Sequence, residues 1–269
     1  VTVRVVHAAA YSFPAPVTGL TLDLRLAPAQ WERPRTLGSE LSVVPPPTTV
    51  GERRDRWGNA VHRVSFERAV TRVAIGMHLT VATHPTGAMP LAVAGAGAER
   101  PAGPPSADDL TLPEDAPAGA DLSVAGQAAC EVVPHECASL TSGWRFGLHP
   151  AGEEVSLDEL LRDRRGRCLE LARLLVWRLR MRSIPARFVL GYALEPTARG
   201  AIRQRHAWVA YHDGGSWSAV DPSASDRVAS DLFATAWGPQ LAPLMPVRAR
   251  RPTGLTGIVG TWSTQVTVA

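Results

Sequence analysis

Lysine is absent from this chain: all 28 basic residues are arginine. Cysteine occurs only three times, at Cys130, Cys137 and Cys168. No apolar run approaches the ~18 residues of a membrane span, and no basic, apolar, small-residue leader pattern opens the sequence. Each shortage excludes something. An odd cysteine count without a secretory segment argues against a disulfide framework. The missing span and leader make a cytoplasmic protein with no membrane partner the expectation. Arg162, Arg164, Arg165 and Arg167, and again Arg248, Arg250 and Arg251, form basic clusters. The net charge is nevertheless only +3, acids are interleaved with many of the arginines, and no nucleic-acid motif accompanies them. A Lys-free chain rich in Arg, Ala, Gly and Pro is what a GC-rich genome writes, and no nucleic-acid partner is expected.

What is present fits a folded globular protein. The 269 residues, 45% of them hydrophobic, suffice for one large or two modest domains with a sizeable core. Residues 1–85 read as a β-rich domain. Val1–Val6 and Leu20–Leu26 alternate apolar and polar, and Val61–Phe66 does so less cleanly. Residues 86–121 carry Ala94-Gly95-Ala96-Gly97-Ala98 and Pro101-Ala102-Gly103-Pro104-Pro105, followed by Asp108, Asp109, Glu114 and Asp115. They read as a linker or long surface loop, exposed and weakly constrained around 97–118. Residues 122–240 form a second unit, helical up to about 182 with a break at 143–152, then mainly strands over 186–221. Residues 241–269 end in a strand expected to return to the β region.

Cys130, His135 and Cys137 loosely suggest a metal site, but zinc needs a fourth ligand and tighter spacing. On a helix, Cys130 and Cys137 would share one face, as core cysteines do, although Pro134 interrupts. No acidic loop suggests calcium. Neither metal nor cofactor is expected.

The chemistry-bearing residues occur in the order Cys168, His206, Asp221. A thiol needs a base to become a nucleophile, and the base needs an orienting partner. Leu169, Leu171, Ala172, Leu175, Val176 and Leu179 give a helical apolar face that Ile184-Pro185 stops. Cys168 then lies in the first turn, where free N–H groups and the macrodipole favour a thiolate and can hold an oxyanion. Between the strands carrying His206 and Asp221 stands Asp213-Gly214, a favoured two-residue hairpin loop, although Asp213-Gly214-Gly215 also permits longer loops. With that loop His212 faces Gly215, and counting back along both strands brings His206 opposite Asp221, about 5 Å apart at Cβ.

These segments resemble the transglutaminase-like superfamily. Its bacterial branch shows Gly-x-Cys, Gly-Ile-Pro-Ala-Arg-x-Val-x-Gly-Tyr, His-Ala-Trp and Gly-Trp-x-x-x-Asp-Pro-Thr. Here stand Gly166-Arg167-Cys168, Ser183-Ile184-Pro185-Ala186-Arg187-Phe188-Val189-Leu190-Gly191-Tyr192, His206-Ala207-Trp208, and Trp217 with Asp221-Pro222-Ser223. Tyr11–Val17, Leu24–Pro28 and Asp55-Arg56-Trp57-Gly58-Asn59 echo that branch's N-terminal β-rich region. The departures are Ser183 for Gly, Ser223 for Thr, Leu169-Glu170 for a polar residue and Asp, and Ala236–Gln240 in place of Gly-Arg-Asp-Tyr.

The resemblance implies an α+β fold: a papain/transglutaminase-like core with the nucleophile helix packed on an antiparallel sheet, plus an N-terminal β domain. It implies Cys168 as nucleophile, His206 as general base and acid, and Asp221 as orienting carboxylate, with a peptide or protein as substrate. The expected reaction is acyl transfer through a Cys168 thioester, amide or peptide hydrolysis first and crosslinking to an amine acceptor as the alternative. A silent peptide-binding module and a metal-binding structural protein are the non-enzyme alternatives.

Overall fold

The computed structural model describes residues 2–28, 35–82, 104–117, 128–149, 155–193, 205–223, 232–251 and 259–268. Six strands come first: β1 (Thr2–Val17), β2 (Leu20–Leu24), β3 (Arg35–Val44), β4 (Thr49–Arg54), β5 (Ala60–Phe66) and β6 (Val70–Ala82). Helix α1 (Ala129–Thr141), β7 (Arg145–Phe146), α2 (Leu157–Asp163), β8 (Arg165–Gly166) and α3 (Cys168–Met181) follow. The chain closes with β9 (Ala186–Ala193), β10 (Arg205–His212), β11 (Trp217–Val220), β12 (Leu232–Gly238), β13 (Val247–Arg251) and β14 (Val259–Val268).

The N-terminal strands build two antiparallel sheets, β14-β1-β6-β3 and β13-β2-β5-β4. Alternation decides what they bury. Val5, His7 and Ala9 of β1 and Val73, Ile75, Met77, Leu79 and Val81 of β6 point inward, at most 4% exposed, while Arg4, Arg72 and His78 face solvent. They meet Leu20, Leu22 and Leu24 of β2 and Val64 and Phe66 of β5 in one apolar core. Each such Leu, fully buried, contributes about 2 kcal/mol. The C-terminal segment supplies a strand to each sheet. β13 pairs with β2, and β14 runs antiparallel to β1 from Val3 opposite Val268 to Ser12 opposite Val259.

The second layer is the sheet β11-β10-β9-β12. Helix α3 packs on one face of it, with Leu171, Leu174, Leu175 and Leu179 against Ala186, Phe188, Ala207 and Val209. On the other face Val189, Trp208, Trp217 and Trp237 form a small aromatic cluster that Trp57 closes. The Asp55–Asn59 motif joins the layers. The Asn59 amide donates to the Trp237 carbonyl at 2.8 Å and its oxygen accepts the Trp237 N–H at 2.9 Å. Asp55 fixes that turn by accepting from the N–H groups of Trp57 and Asn59 and from Arg25.

Two expectations are corrected. Residues 86–103 and 118–121 of the expected loose segment lie outside the described residues; most of 104–117 is exposed, as expected, but it is pinned where a weakly constrained segment was expected. Asp109 is fully buried and takes both arms of Arg187 at 2.6 and 2.7 Å, and that guanidinium lies between Trp217 and Trp237. Arg180 donates to the Thr111 carbonyl, and Asp115 accepts from Arg173 and the Leu157 N–H. Composition hid this because the partners are arginines about 60 to 80 positions away in the chain, and a buried carboxylate is stable only with such a partner. The second correction concerns α1. It runs through Pro134, yet only Cys137 is in the core, because Cys130 sits in the first turn and is exposed.

Candidate active site

Three elements bring the candidate residues together. Helix α3 begins at Cys168, with Arg167 extended before it and its backbone N–H donating to Glu170 Oε2 at 2.6 Å. Glu170, buried at 5% exposure, thus caps the helix that carries the thiol, which accounts for an acid at that position. Gly166 is required here by close approach. A Cβ on it would stand 2.6 Å from Glu170 Cβ and 3.0 Å from the Trp144 ring, and its carbonyl accepts from Trp144 Nε1 at 3.2 Å.

The hairpin turns one residue later than expected. Val209 lies opposite Val220 and His212 opposite Trp217, and the Asp213 N–H still donates to the Ser216 carbonyl at 3.0 Å, so the turn centres on Gly214-Gly215 instead of Asp213-Gly214. The Asp213 carboxylate holds it by accepting the N–H groups of Gly215 and Ser216 at 2.9 and 2.7 Å. Gly214 takes the positive φ of 99°. Every pair is displaced by two residues, and Asp221 falls just past the end of β11 instead of facing His206. A slip of two preserves the face where a slip of one would reverse it. His206 therefore reaches Asp221 diagonally, Nε2 to Oδ2 at 2.7 Å.

Cys168 acts electrostatically on the same imidazole, and with Nε2 on Asp221 the nitrogen left to face a thiol is Nδ1. Burial alone would lower the His206 pKa. The hydrogen bonds and charges of Asp221 and Cys168 outweigh it and push the value up to about 9. Burial likewise works to raise Asp221, but His206 and Ser223 win and hold it below its ordinary value. Ser223 donates to Asp221 Oδ1 through its hydroxyl at 2.6 Å and its N–H at 2.9 Å. This Asx turn around Pro222 locks the carboxylate with one oxygen for His206.

Sequence reading noted Ser223 only as a departure, and overlooked its contact. The signal was available: a hydroxyl two residues after Asp is an Asx-turn pattern. Trp208, 1% exposed, stacks on the His206 ring at 6.1 Å and 24°; only the alternation along β10 could have suggested it. The other cysteines do not join this group. Burial pushes the Cys137 thiol up to about 12, and Cys130 lies exposed on α1. Among the described residues no set of three metal-ligating side chains converges.

Comparison with known proteins fits this arrangement. Residues 3–82 match the bacterial transglutaminase-like N-terminal region, and residues 141–222, which hold Cys168, His206 and Asp221, match the transglutaminase-like superfamily core. The chain belongs to the transglutaminase-like superfamily. A solved structure of a candidate cysteine protease from Cytophaga hutchinsonii is 16% identical, with a TM-score of 0.70 over 99% of this chain and 90% of that one. At that identity the likeness is one of fold, and it extends over both layers. The periplasmic domain of TgpA from Pseudomonas aeruginosa is 18% identical, with a TM-score of 0.40 over 81% of this chain and 88% of that one. No curated protein matches in sequence. The transglutaminase-like fold is generally that of thiol-dependent proteases and acyltransferases.

Proposed function

We propose that this protein hydrolyses an amide or peptide through a thioester on Cys168. The supporting observation is the hydrogen-bonded run His206–Asp221–Ser223, with Cys168 acting electrostatically on the same imidazole. His206, pushed up to about 9, keeps a proton near neutrality, and the reacting form in this proposal is a thiolate beside that imidazolium. The sulfur attacks the acyl carbon, and the Cys168 N–H at the start of α3 stabilises the oxyanion. His206 then protonates the departing amine as the C–N bond breaks, leaving the thioester. Water attacks next and gives its proton to His206. The C–S bond breaks, the carboxylate product leaves, and the sulfur–imidazolium pair is restored. Asp221 stabilises the imidazolium throughout, and Ser223 keeps its carboxylate aimed.

Water is favoured over an amine because, among the described residues, the acids closest in sequence to the three are already occupied. Asp163 is bound to Arg162 and His149, Glu170 to the Arg167 N–H, and Asp213 to its own loop. None is left to draw in a cationic acceptor. Mass analysis of protein incubated with a peptide library should find acyl adducts on Cys168, with hydrolysed peptide accumulating. An amine adduct dominating at millimolar primary amine would replace hydrolysis by crosslinking. No adduct and no turnover from any donor would leave a peptide-binding module.

A further inference from the structure

The backbone leading to Cys168 runs beside an extended segment with a bare outer side. β7 pairs in parallel with β8, Phe146 beside Gly166, and Gly166 is two residues ahead of Cys168. The Arg145 N–H donates to the Arg164 carbonyl at 2.9 Å and the Gly147 N–H to the Gly166 carbonyl at 3.1 Å. In such a ladder alternate residues bond the neighbour, so the N–H and C=O of Phe146 point the other way. Among the described residues β7 has no second strand on that side.

Its side chains are bare as well. Phe146 is 58% exposed and Leu148 63%. Single exposed apolar residues are ordinary. Two of them beside an unpaired backbone edge make an apolar edge on the strand paired with the segment that leads into Cys168. Arg145 and Arg165, level with each other and both exposed, give the ribbon a cationic second face.

We propose that β7 is the docking edge for the acyl-donor peptide, which lies extended with its backbone hydrogen-bonded to Phe146 and one large apolar side chain resting on Phe146 and Leu148. The assignment rests on the reading of Cys168 as nucleophile and adds a substrate class: peptides with a Phe- or Leu-like residue close to the acyl carbon. An extended peptide gains affinity from main-chain bonds to such an edge and specificity from alternate side chains.

The test compares alkylation of Cys168 by iodoacetamide, which needs no peptide site, with alkylation by blocked tripeptidyl chloromethyl ketones carrying Phe, Leu or Ser in the middle. The Phe and Leu reagents should react about ten-fold faster than the Ser reagent, the scale of one apolar pocket contact. Phe146→Ser combined with Leu148→Ser should remove that preference and leave the iodoacetamide rate unchanged, and Phe146→Met should restore most of it. Equal rates for the three reagents, or a preference surviving the double change, overturns the proposal. Should Cys168 resist iodoacetamide too, the nucleophile reading fails by itself, and amide exchange decides the edge. A blocked Phe-containing tetrapeptide added to Cys168→Ala protein should slow exchange of the Phe146 N–H about ten-fold, and an unchanged rate overturns the docking edge.

Discussion

The β sandwich and the catalytic layer each bury a histidine and treat it in opposite ways. His7, 1% exposed on the inward side of β1, is pushed down to about 4, by burial first and by the charge of Arg205 second. The His206 side chain, 9% exposed, is nearly as dry, yet it is pushed up to about 9 because Asp221 and Cys168 outweigh burial. Depth alone therefore does not set the protonation state of a buried imidazole. A carboxylate 2.7 Å away, itself fixed by Ser223, reverses the sign. One layer excludes charge from its core, and the other holds a charge between Asp221 and Cys168.

The sharpest way to break that comparison is to remove the carboxylate's charge and keep its shape. Asp221→Asn should return His206 toward its ordinary value and cost about 10³–10⁴ in kcat, read as turnover together with a histidine titration by NMR. If kcat fell while the histidine pKa stayed near 9, Asp221 would not be the cause of the shift.

The next largest effect is structural. Asp109 and Arg187 form the buried pair that ties residues 104–117 to β9. Asp109→Ala strands a buried guanidinium and should cost about 3–5 kcal/mol in urea unfolding. A cost below about 1 kcal/mol, with 104–117 still resistant to protease, would show the pin to be dispensable.

The two histidines should also shape stability against pH. His206 has its folded pKa raised above the unfolded value, so its contribution is complete below about 6.5 and disappears as pH rises through about 9. At 1.36 kcal/mol per unit this amounts to roughly 3 kcal/mol. His7 is depressed, so its contribution is complete above about 6.5 and is lost as pH falls through about 4. Urea midpoints should therefore peak near pH 6–7. Between about pH 4 and 9, Asp221→Asn should flatten only the alkaline side and His7→Gln only the acid side; at still lower pH Asp221→Asn should also remove the loss that comes from the depressed Asp221 carboxyl. Loss of both flanks in either variant would mean the layers are not electrostatically separate.

The smallest effect concerns Ser183. At the end of α3 its N–H bonds the Arg180 carbonyl and the Ile184 N–H bonds Leu179, a Schellman ending with Ser183 in the left-handed region at φ 59°. That is the position where the family has Gly, and a side chain there costs about 1 kcal/mol. Ser183→Gly should raise stability by up to that amount without changing turnover. Destabilisation would show that the Ser183 side chain makes a compensating contact.

Much of this was legible in the sequence because it depends on near neighbours. Alternation along β1 and β6 determined which side chains face inward. The apolar period and Ile184-Pro185 bounded the helix that begins at Cys168, and the motifs around His206 and Asp221 identified residues that do meet. Tertiary structure alone decided what depends on distant partners or on competition within a loop. The turn could centre on Asp213-Gly214 or on Gly214-Gly215; the fold takes the second, with the Asp213 N–H on the Ser216 carbonyl and the Asp213 carboxylate accepting two N–H groups, so His206 and Asp221 meet on a diagonal. The acidic stretch at 104–117 looked solvated until Arg187, Arg180 and Arg173 closed on it. Two buried histidines look alike as letters. Which one is held cationic was decided by what the fold set beside each.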